Sequence, residues 1–370
     1  MKITCAKNEL VNALQTAAKA IASKPQTPIL AAIYMKADND QLEIHATNNE
    51  IGLLCKIPVE IEEPGEIAMS GRYFLDVIRK LPGDSVTISF KRDEKIVNVT
   101  SNQASFTLLS MNANEFPKVK PIESNVEFSI KDNVLRSLIK KTVFACSKDE
   151  SRPVFTGCYL DIADNKITMA ATNMHRLAVK YEQFPESLGN IKVIIPSNIL
   201  QELLHNLNSD IPMDVKVCCN FNQISFAFDN IYMTSRLIEG AYPDYTNVIP
   251  SSHATLVTMD SAEFNAAVDR VSLISRAGDY NVIKMEFANG QLHITSNNPE
   301  IGNAEETIPA SIEGPDITIA FNAQYLVDVM KIIDSKNCEL RLNQPLSPIT
   351  VKEEKDDAFI YVVTPVRTKN

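Results

Sequence analysis

Ala171-Thr172-Asn173-Met174 has a counterpart in Ala46-Thr47-Asn48-Asn49 and another in Thr295-Ser296-Asn297-Asn298, successive copies lying about 125 residues apart. Each closes an alternating apolar stretch. A second landmark follows every copy in the same order: a turn containing Pro or Gly, a short apolar strand, then an amphipathic helix. These are Gly65-Glu66-Ile67-Ala68-Met69 before a helix predicted over 72–81, Lys192-Val193-Ile194-Ile195 before 198–207, and Ile317-Thr318-Ile319-Ala320 before 323–333. Two landmarks kept in order and register imply three copies of one domain. A repeated unit builds a repeated surface more readily than a single catalytic cleft.

Working outward, the first copy reads as a strand at 2–5 and a helix at 8–22, in which Leu10, Leu14, Ala17, Ala18 and Ile21 form one apolar stripe. Strands follow at 29–37, 41–46 and 51–61, then the helix at 72–81, then strands at 86–90, 96–100 and 105–110. The copy is itself a doubled motif of strand, helix and three strands. The second copy starts at Val126 with a helix at 132–145, and the third at Ala254 with a helix at 261–275. The proline-containing stretches 114–124 and 240–252 precede new strands, as boundaries do. The chain of 370 residues thus divides into domains 1–122, 123–250 and 251–370, of ordinary domain size. Short alternating strands with frequent turn signals place the fold in the α+β class, each domain carrying antiparallel sheets with two helices packed on one face.

Composition is that of a globular protein, with 45% hydrophobic and 22% charged residues. Net charge is −10, from 36 Lys+Arg against 46 Asp+Glu, which argues against a uniformly nucleic-acid-binding surface. A sum over the surface still allows one basic face. Arg72 and Arg79 lie seven apart on one helix with Asp76 between them; Arg136 and Lys140 lie at i,i+4 on another, with Lys141 adjacent. The third copy contributes Arg270, Arg276 and Lys331. From charge alone, solvated helix faces explain these cations better than phosphate contacts do.

Seven scattered cysteines without a Cys-x-x-Cys pair read as reduced core thiols. The opening residues carry no apolar signal core and no stretch has the length of a membrane span, so a cytoplasmic protein is expected. No phosphate loop, dinucleotide-binding glycine motif, nucleophile elbow or His-Glu-x-x-His occurs, and no cofactor or metal is expected. One cluster suits acid–base work on a phosphate: Thr172, His175 and Arg176 fall within five residues. Its counterparts in the other copies are expected to share the turn but lack the His-Arg pair, so the turn is structural and His175-Arg176 an addition. An enzyme acting on nucleotides through these two residues, and a peptide-binding scaffold, stay open as alternatives.

Residues 171–179 (Ala-Thr-Asn-Met-His-Arg-Leu-Ala-Val), Tyr242-Pro243-Asp244-Tyr245 with Val248-Ile249-Pro250, Asn297-Asn298-Pro299-Glu300 and the near-terminal Tyr361-Val362-Val363-Thr364-Pro365-Val366-Arg367 resemble the signatures of the bacterial sliding clamp, the beta subunit of DNA polymerase III. So do residues 25–30 and Glu115-Phe116-Pro117. The resemblance covers all three copies. It implies a non-catalytic processivity factor of the DNA polymerase III holoenzyme, a head-to-tail homodimer whose six similar domains close a ring around duplex DNA, helices inside. The modestly basic helix faces would then line the hole and hold DNA without sequence readout. The implied partners are a clamp loader and replicative and repair polymerases carrying a Gln/Leu/Phe-type peptide.

Carried over by position, the family's peptide-binding pocket between domains two and three would comprise Phe155, Thr172, Met174, His175, Arg176, Leu177, Pro243, Val248, Tyr280, Asn322, Tyr325, Leu346, Pro348, Val362, Val363, Thr364, Pro365, Val366 and Arg367. Met174 stands where the family commonly has Gly, Thr364 where Met is common, and Asn247 where a basic residue is frequent. The family's DNA-contact loops fall on Lys24, Asp149, Pro153 and Val154, of which only Lys24 is a cation. The DNA-binding set is therefore Lys24, Arg72, Arg79, Arg136 and Lys140. The ring interface would set Phe106 and Leu108 of a domain-one edge strand against Leu273 and Ile274 of a domain-three helix; as residues of a lone chain these read equally well as core.

Overall fold

A computed structural model describes residues 1–22, 25–91, 93–207, 211–276, 281–354 and 356–367. The chain divides into two compact units, residues 1–135 with 198–237, and residues 136–197 with 238–370. The second repeat is thus shared between them.

In the first unit an antiparallel eight-stranded sheet runs in the order Val126–Lys131, Asp214–Cys219, Gln223–Phe228, Ile231–Arg236, Ile51–Pro58, Gln41–Thr47, Ala32–Asp38, Gly65–Ser70. Its middle joint pairs Gly52 with Thr234 and Leu54 with Tyr232, so strands of the first two repeats belong to one sheet. A five-stranded sheet orders Glu60–Glu63, Lys2–Ala6, Ser85–Lys91, Ile96–Ser101 and Ala104–Leu109. Helix α1 (Lys7–Ala17) buries Leu10, Leu14 and Ala17, and α2 (Gly71–Lys80) buries Phe74, Leu75 and Ile78. The latter leaves Arg72, Asp76 and Arg79 exposed, as an amphipathic period requires. It ends at Leu81 because the residue before Pro82 is driven out of the helical region.

The second unit repeats the plan. Its nine-stranded sheet orders Asn190–Pro196, Gly157–Ala163, Lys166–Thr172, Arg176–Gln183, Phe359–Val363, Ile349–Glu353, Asn337–Leu342, Thr255–Asp260 and Ser311–Glu313. Here Arg176 pairs with Val363 and Leu177 with Val362, joining repeats two and three. A four-stranded sheet orders Gly302–Pro309, Gln291–Asn298, Val282–Ala288 and Ile317–Asn322. Of the remaining helices, α3 (Asp132–Lys140) and α4 (Ser197–Asn206) belong to the second repeat, α5 (Ser261–Ser275) and α6 (Ala323–Met330) to the third. The α5 start is fixed by Asp260, whose carboxylate accepts from the Ala262 and Glu263 amides at 3.0 and 2.9 Å.

Five sequence expectations are corrected in extent, one being the helix read as 323–333, which ends at Met330. The helix read as 8–22 stops at Ala17, followed by a 3-10 turn at Ala18–Ala20: Ile21 is already extended and the Ala22 amide bonds to the Leu30 carbonyl at 3.2 Å. The helix read as 132–145 ends at Lys140, where the Thr142 hydroxyl donates to the Leu138 carbonyl (2.7 Å) and competes with helix continuation. Pro28 opens a 3-10 turn at Pro28–Ala31, so the strand read as 29–37 starts only at Ala32. The strand read as 51–61 is two strands in different sheets, parted after Pro58.

Six of the seven free cysteines are buried. Burial pushes the Cys5, Cys55, Cys219 and Cys338 thiols up to about 12, so they stay protonated.

A buried ion network also joins repeats two and three. Lys141 Nζ lies 2.5 Å from Glu353 and 3.1 Å from Asp356, and Lys180 Nζ lies 3.2 Å from Asp356 and 3.4 Å from Glu182. Burial by itself raises the Asp356 carboxyl, but the two lysines outweigh it and hold the group below its usual range. Burial likewise pulls Lys141 down, and its carboxylate partners carry it above its usual value. Asp356 therefore contributes stability that is present above its unfolded pKa of about 3.9 and lost as pH falls through the lower folded value. Lys141 contributes below about 10.4 and loses that contribution as pH rises through its raised folded value. Glu353→Gln removes the nearer of Lys141's two carboxylate partners and leaves Asp356, so it should destabilise the unit by about 2 kcal/mol at pH 7. Urea unfolding of the two proteins at pH 7 measures the difference.

Candidate functional site

The turn that opened the sequence reading is an Asx turn with a threonine lock. Asn173 Oδ1 accepts from the amides of His175 and Arg176, both at 3.1 Å. Thr172 Oγ1 accepts from the Met174 amide at 3.0 Å and donates to the Arg176 carbonyl at 2.6 Å. Residues 47–51 reproduce it: Asn48 Oδ1 accepts from Glu50 and Ile51 at 3.0 and 2.8 Å, and Thr47 bonds to the Asn49 amide and Ile51 carbonyl at 3.0 and 2.8 Å. The short side chains hold backbone groups that no ladder can pair at a hairpin end. In both turns the central residue is left-handed, φ 74° at Asn49 and at Met174. Asparagine tolerates that region, whereas a methionine Cβ is strained in it.

The third copy departs from the expectation of a shared turn. Ser296 Oγ donates to the Val271 carbonyl (2.6 Å), and the Asx contact moves on to Asn298, whose Oδ1 accepts from Glu300 at 2.9 Å. Serine at the threonine position reaches the helix behind the sheet instead of its own turn.

Around the second turn the side chains form a tight knot. The His175 ring stacks on Tyr325, 6.3 Å between centroids at 15°. Arg176 donates to Asp328 through Nη1 and to the Phe144 carbonyl through Nη2, both at 2.6 Å, with its guanidinium 4.8 Å over Tyr325 and 5.5 Å from Phe144. The Tyr361 hydroxyl donates to the Tyr325 carbonyl at 2.8 Å, and Thr364 donates its amide and hydroxyl to the His175 carbonyl at 2.9 and 3.0 Å. Arg176 is only 9% exposed and its fork is committed, which leaves it unavailable to a phosphate and removes the basis of the nucleotide-enzyme reading.

Beneath the knot Leu177 and Val362 share a buried cluster with Ala170 and Val179, closed by Tyr159, Tyr245, Ile249 and Ile360. Tyr159 and Tyr242 stack at 5.0 Å and 12°, and Phe155 meets Tyr242 edge-on at 6.1 Å. Burial pushes the Tyr242 and Tyr361 hydroxyls well up and, with Asp161 nearby, the Tyr245 hydroxyl to about 12, so all three stay neutral. Thr172 and Val363 are buried; Pro348, Pro365 and Val366 are half-buried; Pro243 and Arg367 are exposed. Met174, Val248 and Leu346 expose about half of their apolar surface at 49%, 51% and 56%. No hydrogen bond or ring contact among the described residues ties Pro243, Val248, Leu346 or Pro348 to the knot. The half-buried Asn322 caps α6, its Oδ1 accepting from Gln324 at 2.9 Å. Tyr280 lies outside the described residues. Asp328, Phe144 and Tyr159 escaped the sequence reading, although Tyr325 and Asp328, three apart, share a helix face; Tyr242 was read only as part of a signature stretch.

Of the cations singled out, Arg72 and Arg136 have no carboxylate partner among the described residues. Arg79 forks onto the Gln15 amide oxygen at 3.0 and 3.2 Å once that amide is turned to satisfy both groups. Lys140 sits 3.3 Å from Asp334, and Lys24 lies outside the described residues. Phe106 and Leu108 lie on the edge strand Ala104–Leu109, with Phe106 39% exposed and its neighbour Leu109 77%. Leu273 is 59% exposed on α5, with Ile274 half-buried beside it. The core reading of these four residues is corrected accordingly: they leave apolar surface in water.

Fold and turns together define a protein built by triplication of one α+β domain. Its segments match three family models in order, described as the DNA polymerase III beta subunit N-terminal domain over residues 1–120, central domain over 129–244 and C-terminal domain over 246–367. The chain is 33% identical to the beta sliding clamp of Staphylococcus epidermidis and 32% to that of Staphylococcus aureus, with all of each chain covered. Among solved structures, the DNA polymerase sliding clamp of Bacillus subtilis superposes with a TM-score of 0.94 at 31% identity, covering both chains fully. A Pseudomonas aeruginosa sliding clamp bound to griselimycin gives 0.94 at 29%. The chain belongs to the DNA polymerase III beta subunit family of sliding clamps, whose members are non-catalytic.

The left-handed Met174 gives a direct test of the turn. Met174→Gly should raise stability by about 1 kcal/mol by relieving the strain of a side chain at positive φ, read as an upward shift in thermal unfolding temperature. Asn49→Gly, at the same φ with a tolerant residue, should gain less.

Proposed function

We propose that this chain is the processivity factor of a replicative DNA polymerase: a head-to-tail homodimer that closes around duplex DNA and tethers polymerases through a peptide groove on its second and third domains. The observation that carries the reading is that similarity to sliding clamps spans the full chain and all three repeats, at a TM-score of 0.94. In this reading the domains are 1–122, 123–250 and 251–370, a clamp loader opens the ring, and the protein works in the cytoplasm. Among the described residues no helix is long and apolar enough to cross a membrane.

The peptide groove is supported by the contrast between two turns of equal backbone. Residues 47–51 carry Asn49 and Glu50; residues 172–176 carry Met174, His175 and Arg176, with Val248 and Leu346 exposed on nearby loops. A rigid polar knot bordered by exposed apolar side chains suits a short peptide with Leu and Phe anchors and one Gln. Arg72, Arg79, Arg136, Lys140 and Lys24 are the proposed DNA contacts, acting as diffuse charge. Two edge strands, Ala104–Leu109 and Gly302–Pro309, pair on one side only among the described residues and would close the ring by adding strand to strand, sealed by Phe106, Leu108, Leu273 and Ile274.

Loaded onto nicked circular DNA with its cognate loader and ATP, the protein should co-elute with the circle in gel filtration and be released when the circle is linearised. Retention on both forms would mean ordinary surface binding and defeat the topological reading. Leu273→Ala with Ile274→Ala should give monomers by sedimentation that still bind a Gln/Leu/Phe peptide but no longer stay on circles. A fully dimeric double variant would show the interface assignment to be wrong.

A further inference from the structure

Across the C-terminal segment 364–367 from the knot lies a second groove, of about 710 Å³, on the outer face of the four-stranded sheet. Strand alternation puts Val282, Lys284, Thr295 and Glu305 on that face, since Lys284 pairs laterally with Thr295 and Thr295 with Glu305. Val366 and Arg367 form the wall toward the knot. That wall is fixed in place: the Val366 amide donates to the Ala320 carbonyl at 2.8 Å, and Thr364 is bonded to His175. One four-residue segment therefore borders both the knot and this groove.

The charges of this groove are unusual for so acidic a protein. Lys284 and Arg367 both line it, are exposed, and have no carboxylate within 4.0 Å among the described residues. Most other lysines and arginines on the sheets are paired, as Lys56 is with Glu43 and Lys216 with Glu127 at 2.8 and 2.6 Å. The groove's carboxylate, Glu305, is 3.8 Å from His293 and more than 4.0 Å from Lys284. Two free cations in a concave site beside a docking groove offer their charge to an anionic chain.

We infer that this groove takes acidic residues flanking the docking motif of a partner peptide, with Lys284 and Arg367 as its cationic walls. The inference rests on the peptide-groove reading and deepens it: the motif supplies the anchors, and the charge of its flank sets how tightly one partner competes with another. The interaction is solvent-exposed, so it should be modest and weakened by salt.

Fluorescence anisotropy on the full-length protein tests it with three synthetic peptides: a core Gln/Leu/Phe motif, the same motif extended by four Glu or Asp residues, and by four Ser, each extension made at either end. At one end the acidic extension should tighten binding about 3- to 10-fold over the serine one, and the gain should shrink at 0.5 M salt. Lys284→Glu, an exposed substitution, should abolish or reverse the gain while leaving the core peptide's affinity unchanged; Lys284→Arg should keep it. No gain at either end, or a gain that survives Lys284→Glu, would overturn the inference and leave the peptide groove standing. Failure of the core peptide to bind at all would overturn the groove reading and this inference with it.

Discussion

Antiparallel pairing of one repeat's turn-following strand with the last strand of the next repeat is the constraint on which the rest of the structure depends. Ile51–Pro58 pairs with Ile231–Arg236, and Arg176–Gln183 with Phe359–Val363. A hairpin that ended freely would expose a row of unpaired amides and carbonyls. Here that edge is spent on the neighbouring repeat, giving sheets of eight and nine strands in place of isolated four-stranded ones. Register follows from burial: Leu177 opposite Val362 keeps both inside, and a slip of one residue would turn the whole apolar set outward.

The same joint carries two different chemistries. Both turns are locked by Thr and Asn through equivalent hydrogen bonds, so the backbone is a constant and the side chains mounted on it are free to differ. In the second turn Arg176 is drawn inward to Asp328, Phe144 and Tyr325, ordering His175 beside it. The Lys141–Glu353–Asp356–Lys180 network then fixes the same pair of repeats. Buried charge of this kind adds little net stability over apolar packing, but removing one partner is strongly unfavourable, so it disfavours other alignments of the two repeats. The precision of the site comes from this fixed joint more than from the individual lining residues.

Much of the fold was legible because its signals are local. The triplicated landmarks, the period-two strands and the stripe Phe74, Leu75, Ile78 on α2 follow from side-chain alternation and helical spacing. Helix ends were legible where a residue acts on its own backbone, as Pro82 does after α2. They were misread where the cause is tertiary: α1 stops early because Ala22 bonds to Leu30, and the run 51–61 divides because its halves enter different sheets. The site residues were named through family resemblance. His175 and Arg176 alone suggested acid–base chemistry, and only the distant partners Asp328 and Tyr325 show that Arg176 is held in a structural role.

The sequence by itself determined that this protein is a threefold repeat of mixed strands and helices, without a phosphate loop or a nucleophile motif, because periodicity and motif spacing are written along the chain. Tertiary structure alone decided which repeats share a sheet, which cations are paired and which of the apolar residues at 106, 108, 273 and 274 meet water. Those outcomes depend on contacts between residues more than a hundred positions apart, such as Arg176 with Asp328 or Lys141 with Glu353, whose energies exist only after the strands have been brought together.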